Sequence, residues 1–394
     1  MKVVWAGQEP PDSFRSAIFL AGPTPRSADV PSWRPGCVEL LEQQGYDGVV
    51  FVPEPPGGDR FGDYDSQVEW EAMGLRMADV ILFWVPRDLE TMPAFTTNIE
   101  WGMWYDSGKA VWGAPPSAPK NTYLKYYAEK SGVPVCSSLA EAVNITLESI
   151  GEGAERQGGE RDVPLIIWRR SEFQNWYTTQ KRAGHRLDGA ELIWHFPGRP
   201  SRPLFCWILR VNVNLPEEGR NKAGEFFLTR IDASAVLAWR PASDILDSEI
   251  VLVREFRSAA ALGDAYVWEL PGGSAFEDEC GAKTGQSSPR QQASDELSEE
   301  TGITIDIARF QHIGSRQSAA TLLTHQTHLY AVELSESETQ RFRDQAGIEH
   351  GENVSERCTV HVLTLREVIA HESVDWSQLG MILSHIVSDR GVGK

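Results

Sequence analysis

No CxxC pair occurs in the sequence, and its five cysteines (Cys37, Cys136, Cys206, Cys280, Cys358) are scattered and odd in number. That argues against a zinc finger or ribbon and against a disulfide framework. No apolar run reaches ~18 residues, which argues against a membrane-spanning helix. The N-terminus has no signal-peptide apolar region, so the expectation is a soluble cytoplasmic protein. No Lys/Arg cluster stands out, and 37 basic residues face 56 acidic ones for a net charge of −19. A nucleic-acid binder usually carries a basic patch, so that class is disfavoured. Small phosphorylated substrates stay compatible, because metal ions and local arginines offset the field. What is present is 41% hydrophobic residues, enough for ordinary cores, and fourteen tryptophans. The tryptophans are expected in cores and pocket walls and assign no function.

At 394 residues the chain is long enough for two or three domains. Apolar runs at 17–21 (AIFLA), 48–52, 79–85 and 110–113 read as buried strands. Between them, 32–44, 65–78 and 98–107 read as helices, the second with Val68, Ala72 and Leu75 on one stripe. Strand and helix in alternation predict a doubly wound parallel sheet over residues 1–150. Ligands on such sheets sit beyond the carboxyl ends of the strands. The polar, Gly-rich stretch 151–162 reads as a linker. Beyond it, 190–196, 204–215, 225–239 and 249–257 are rich in β-branched and aromatic residues. Residues 163–394 are therefore expected to form a second α/β domain with a mixed sheet, closed by a helix at 375–387.

Five carboxylates carry the candidate chemistry. Glu296, Glu299 and Glu300 lie at i, i+3 and i+4, so a helix presents them on one face. A hard cation such as Mg2+ (or Mn2+) makes that spacing favourable, since it takes oxygen ligands and keeps waters; without it they form a solvated acidic face. Glu71 lies beside the apolar stripe, where burial raises a carboxyl pKa, or else pairs with Arg76 or Arg87. Glu100 sits one turn into a helix beyond a strand's carboxyl end, or closes a capping box spelled Thr97-Asn98-Ile99-Glu100.

The segments IFLAGPTPR (18–26), WR (33–34), FVPE (51–54), QVEWE (67–71), ADVILFWVPR (78–87), TTNIEWG (96–102) and GAP (113–115) resemble the nucleoside 2-deoxyribosyltransferase-like family. The resemblance implies that Glu100, with Asn98 and Gly102 alongside, attacks the sugar C1′. It implies that Glu71, where relatives more often carry aspartate, faces the nucleobase. The chemistry is then that of a retaining glycosidase, with a glycosyl-enzyme on Glu100 and Glu71 assisting the departing base. Gly22, Pro23, Thr24, Arg26 and Arg34 are expected around the 5′ end, with Arg26 or Arg34 on a phosphate. Phe19 stands where deoxynucleoside-preferring relatives carry tyrosine, which favours ribonucleotides. Such domains commonly oligomerise, so a homo-oligomer (dimer) is expected.

Gly273, Glu279, Glu296, Leu297, Glu299, Glu300, Gly302 and Ile303 resemble the box of the Nudix hydrolases. The box departs from the family in two places. A Gly/Ser/Pro/Gln-rich stretch, 281–292, reads as a loop inserted between its halves, and Asp295 replaces the family arginine. VLVREFR (251–257) and WELPGG (268–273) look like the ADP-ribose pyrophosphatase branch, implying a Nudix α/β/α sandwich. In that branch Arg254 or Arg257 grips the substrate, Glu269 lies near the site, and a late acidic residue, Glu349, Glu352 or Glu356, acts as base. The fusion then implies pyrophosphate cleavage of an NAD-, ADP-ribose- or nucleotide-sugar-like compound, followed by N-glycosidic cleavage of a resulting mononucleotide. One live domain with a binding platform, or a nucleotide sensor that turns nothing over, are the alternatives.

Overall fold

Short runs of consecutive apolar residues become strands buried on both faces. The computed structural model describes residues 1–27, 29–55, 63–196, 204–261, 263–274, 288–351 and 357–389. In chain order the first half gives β1 (Lys2–Trp5), β2 (Ser13–Phe14), β3 (Ala17–Ala21), α1 (Arg34–Gln43), β4 (Val49–Val52) and α2 (Tyr64–Met77). Next come β5 (Val80–Trp84), α3 (Phe95–Trp104), β6 (Ala110–Gly113), α4 (Thr122–Ser131), β7 (Val135–Cys136) and α5 (Leu139–Ile150). Six strands form one sheet in the order β1-β4-β3-β5-β6-β7, with every pair parallel. Because side chains alternate across a strand, each strand feeds two cores. Ile18, Leu20, Val50 and Leu82 pack with Cys37 and Leu41 of α1 and Ala142 and Val143 of α5. Phe19, Phe51, Phe83 and Trp112 pack with Trp70 of α2, Trp101 of α3 and Leu124 of α4.

Two local expectations change. On α2 the inward residues are Trp70, Gly74, Leu75 and Met77, while Val68 is 46% exposed. Gly74 decides this: its missing side chain lets the Phe19 ring come within 3.0 Å of where a Cβ would stand. Helix α3 starts at Phe95, so Thr97 and Glu100 lie inside it and form no capping box. Its N-cap is Ala94, in the left-handed region at φ 61° with no side-chain cap, a conformation that costs a non-glycine residue energy.

Residues 151–162 do not behave as a free linker. β8 (Arg156–Gln157) pairs with β2, and a 3-10 turn follows at Gly158–Asp162. Arg156 is fully buried and donates to both carboxylate oxygens of Asp79, at 2.8 and 2.5 Å. Asp79 also accepts from Ala17 N and Leu165 N, each at 2.9 Å. Then come α6 (Leu165–Trp168), α7 (Ser171–Arg182) and a three-stranded sheet of β9 (Arg186–His195), β10 (Cys206–Leu215) and β11 (Arg220–Arg230), in the order β11-β10-β9. This sheet has its own core of Phe173, Tyr177, Trp207 and Leu209. The chain thus divides into two compact units, Met1–Leu228 and Thr229–Lys394, a division well past residue 162.

The second unit contains β12 (Ala233–Arg240), β13 (Glu249–Phe256), β14 (Tyr266–Glu269), β15 (Gly272–Gly273), α8 (Pro289–Thr301), β16 (Gln311–Arg316) and β17 (Thr327–Glu333). It ends with α9 (Glu336–Arg343), β18 (Glu349–His350), β19 (Cys358–Thr364), α10 (Leu365–Ala370) and α11 (Trp376–Asp389). The expected single run 225–239 is two strands, broken where Asp232 accepts from Gln326 N at 2.8 Å. The main path of the sheet is β16-β17-β12-β13-β19-β18. It is mixed: β12 and β17 are parallel, β13 and β19 antiparallel. Val236 and Ala238 pack with Ala293 and Leu297 of α8 and Phe342 of α9. Leu237 and Trp239, on the other face, pack with Leu365 and Val368 of α10 and Ile382 and Ile386 of α11. Among the described residues no helix is long and apolar enough to cross a membrane.

Candidate functional site

In the first unit the crevice is built by the segments leaving β3, β4 and β5. After β3 the chain turns at Gly22, where a Cβ would overlap the Trp84 carbonyl oxygen and stand 2.8 Å from the Trp33 ring. The loop beyond it is held by Arg34. That guanidinium is 1% exposed and donates to Leu20 O (3.1 Å), Gly22 O (2.6 Å) and Thr24 Oγ1 (3.1 Å). It also pairs with Glu54, just beyond β4. Trp33 adds an Nε1 bond to Pro23 O at 3.1 Å.

Arg34 therefore does not fit the phosphate-binding role expected of it, because its donors are taken by the loop. It positions Gly22, Pro23 and Thr24 instead. Arg26 keeps an exposed side chain, 5.6 Å over the Phe95 ring. Phe19 has no exposed surface, and its ring packs 6.4 Å from that of Trp70. A ring sealed in the core does not touch a sugar, so the ribonucleotide preference inferred from Phe19 loses its basis.

Glu71 and Glu100 stand close enough to repel one another. Burial, then the nearby Glu71 charge, pushes the Glu100 carboxyl up to about 7, with Arg34 pulling the other way. Burial also raises Glu71, while bonding to Gln67 and the Arg34 charge lower it. Gln67 Nε2 donates to Glu71 Oε1 at 2.9 Å. The surface pairing of Glu71 with Arg76 or Arg87 is not formed: Arg87, itself buried, donates to Asn98 Oδ1 at 2.5 Å. The arrangement is a desolvated carboxyl pair in which one group holds a proton near neutral pH. Such a pair can exchange roles between nucleophile and acid. Gln67, Arg87 and Glu54 are supporting residues that sequence reasoning missed. Glu54 was visible in the FVPE segment, but nothing in that segment announced a buried counter-ion for Arg34.

In the second unit, the Gly-Gly of β15 and helix α8 come together in space. Gly272 N donates to Glu300 Oε2 at 2.9 Å, and Gln292 Nε2 donates to Gly273 O at 2.6 Å. A Cβ on Gly273 would collide with the Glu296 carboxylate. Burial, then Glu296, raises the Glu300 carboxyl well above its ordinary value; Glu255 and Glu269 add to this, against the Gly272 N–H. Arg257 answers that charge, with Nε to Glu269 at 2.7 Å and a guanidinium nitrogen to Glu255 at 2.9 Å. Arg254 pairs instead with Asp264 at 2.5 Å and lies 4.0 Å over the Tyr266 ring.

Glu299 is exposed on α8, while Glu296 and Glu300 are half-buried. Asp295 accepts from Gln291 Nε2 at 2.8 Å. The expected loop 281–292 is helical from Pro289; Glu279 and residues 281–287 lie outside the described residues. Glu349 pairs with Arg357 at 3.4 Å; Glu352 and Glu356 also lie outside them. Among the described residues no group of three or more His, Cys, Asp or Glu is arranged to hold a metal ion.

The chain resembles a crystal structure of an ADP compounds hydrolase at 12% identity and a TM-score of 0.34, over 52% of this chain and 96% of that one. A search of the curated proteins finds no match. Residues 15–118, the stretch that carries Glu71, Glu100, Asn98, Arg26, Arg34 and the Gly22–Thr24 turn, match the family described as nucleoside 2-deoxyribosyltransferase like.

Proposed function

We propose that the first unit cleaves the N-glycosidic bond of a nucleoside monophosphate through a glycosyl-enzyme on Glu100. The observation that carries this is the Glu71–Glu100 pair, desolvated, mutually repelling and lying within a span that matches the deoxyribosyltransferase-like family. In the reaction, the Glu100 carboxylate attacks C1′ and the C1′–N bond breaks. Glu71, steered by Gln67, delivers a proton to the departing base. Water, activated by the carboxylate that Glu71 then is, attacks C1′ and frees Glu100. Transfer to a second base follows the same path with the base in place of water. The turn that Arg34 holds and the exposed Arg26 are the groups offered to the 5′ phosphate.

For the second unit the reading is a Nudix-type pyrophosphohydrolase acting on an NAD-, ADP-ribose- or nucleotide-sugar-like compound, whose product feeds the first site. Mg2+ or Mn2+, if bound, would take hard oxygen ligands from Glu296 and Glu300, but the described residues do not by themselves assemble a metal-holding group. When bound, such a cation polarises the pyrophosphate and supplies hydroxide at neutral pH. The Gly272 N–H orients Glu300, and Arg257 holds Glu255 and Glu269 in place. A second reading has its own support. The Asp295 at the family arginine position favours a second unit that binds nucleotide without cleaving it.

The test incubates ADP-ribose, NAD, nucleotide sugars and nucleoside monophosphates with wild type, Glu100→Ala and Glu300→Gln in Mg2+, with products read by mass spectrometry. In the tandem reading, Glu300→Gln blocks pyrophosphate cleavage and Glu100→Ala lets a mononucleotide accumulate. Intact pyrophosphates in wild type, with base released from a monophosphate, reduce the second unit to a platform. No product from any compound defeats both readings.

A further inference from the structure

A cavity of about 440 Å3 opens in the first unit, away from the Glu71–Glu100 crevice. Its position follows from topology. In a parallel sheet each helix returns the chain from the carboxyl end of one strand to the amino end of the next. The cavity is lined by Arg76 in the last turn of α2, by Trp104 ending α3, and by Lys109 just before β6. It therefore lies at the amino-terminal edge of the sheet, whereas the Gly22 turn, Glu54 and Arg87 lie at the carboxyl edge. Asp162 and the last residues of β9, including Trp194 and His195, form the remaining wall.

His195 is 8% exposed, yet its Nδ1 has no hydrogen-bond partner. Its ring is fixed at the wall by Gly108, where a Cβ would stand 3.3 Å from Cε1. A buried ring nitrogen without a partner costs free energy unless a ligand or water satisfies it. Asp162 is mostly buried too, with burial raising its carboxyl and the Ala190 N–H opposing that. Lys109 is not available to a ligand, because its amine already donates to Leu75 O, Arg76 O and Ala78 O at 2.8, 3.0 and 2.9 Å. The exposed Arg76 is the cation left at the rim. Trp194, 45% exposed, gives a flat apolar surface; the Trp104 ring at the wall already carries Lys109 Nζ over one face, 4.7 Å from its centroid.

We propose that this cavity is a second binding site for a nucleobase-bearing small molecule. The flat Trp194 indole face takes a planar heteroaromatic ring. His195 Nδ1 and the Asp162 carboxyl meet the donor and acceptor atoms on its edge. Arg76 pairs a phosphate when one is present. Free base, nucleoside and nucleoside monophosphate share this chemistry, and the volume holds a molecule of that class.

The test uses the full chain carrying Glu100→Ala, so that no glycosidic bond is broken, and isothermal titration calorimetry. The probes are adenosine, guanosine, cytidine and uridine, their 5′-monophosphates, and ribose 5-phosphate as a baseless control. At least one nucleoside is expected to bind, with affinity falling about 10-fold or more when Trp194→Ala is added. The control compound is expected to give no such Trp194-dependent heat. If a monophosphate binds tighter than its nucleoside and Arg76→Ala removes only that difference, the phosphate belongs to the ligand; no difference makes the ligand the nucleoside or base. Hydrogen exchange on the Glu100→Ala chain is the second readout and depends on no cavity variant. Ligand is expected to protect residues 190–195 and 104–109. Binding that ignores Trp194→Ala and leaves those segments unprotected overturns the proposal, as does the absence of binding by every nucleoside and nucleotide.

Discussion

Replacing Glu100 by Gln tests whether the crevice holds a carboxyl against its own preference for water. Burial and Glu71 raise Glu100 from its ordinary 4.5 to about 7. Its folded value thus exceeds its unfolded one, so the native state binds the proton more tightly. The stability tied to this group is full below the unfolded value and is lost as pH rises through about 7. At about 1.36 kcal/mol per pH unit the full penalty above neutrality is about 3.4 kcal/mol. Glu100 keeps some surface, and solvent screening brings the expected figure to about 1–2 kcal/mol. Glutamine fills the same space without charge, so Glu100→Gln is expected to be the more stable protein at pH 8. For a unit of this size about 1–2 kcal/mol moves the melting temperature by about 2–8 °C. Differential scanning calorimetry of the full chain reads this at the transition of the first unit. At pH 5 the gap is expected to shrink to under about 0.5 kcal/mol, because native Glu100 is then protonated. An equal gap at both pH values, or a less stable variant at pH 8, would refute the reasoning.

Other outcomes follow from the same geometry. Base release is expected to show a kcat/KM limb falling as pH rises through about 7, since the pair then loses the one proton that must reach the departing base by way of Glu71; a flat profile from pH 5.5 to 8.5 contradicts that role. Gly22→Ala drives a Cβ into the Trp84 carbonyl and displaces the turn, so base release is expected to fall about 100-fold; steady-state kinetics with an unchanged rate would sink the positioning argument. Asp79→Ala leaves the Arg156 guanidinium buried without its carboxylate, a loss of about 3–5 kcal/mol, checked as a lowered first melting transition.

Much of the first sheet is readable from short apolar runs. AIFLA is β3 to the residue, and 110–113 is β6. β1 escaped because KVVW stands alone, with no neighbouring helix pattern to frame it. The start of α3 was missed by three residues, because Ala94 enters the helix through a left-handed turn that no Gly or Asn announces. The two glutamates of the crevice were singled out by the family resemblance, and they do lie close enough to repel one another. Their supports were not legible: Arg34 looks like any surface arginine until its carbonyl partners, far apart in sequence, come into view. Polar composition likewise hid the packing of residues 151–162, since one buried arginine among Gly and Glu leaves no periodic trace. In the second unit, helical spacing put Glu296 and Glu300 on one face, but it could not tell that the Gly272 N–H would bond to Glu300.

The Asp79–Arg156 pair also limits how the chain can be cut. Residues 1–150 contain all six strands of the parallel sheet and both crevice glutamates, and by those signs would pass for a self-sufficient folding module. A fragment ending there would bury Asp79 with the Ala17 N–H, but without Arg156 or the Leu165 N–H. The autonomy of that parallel sheet therefore depends on residues that lie beyond it. Limited proteolysis that nicks near residue 155 would be expected to loosen the sheet as a whole rather than release it intact.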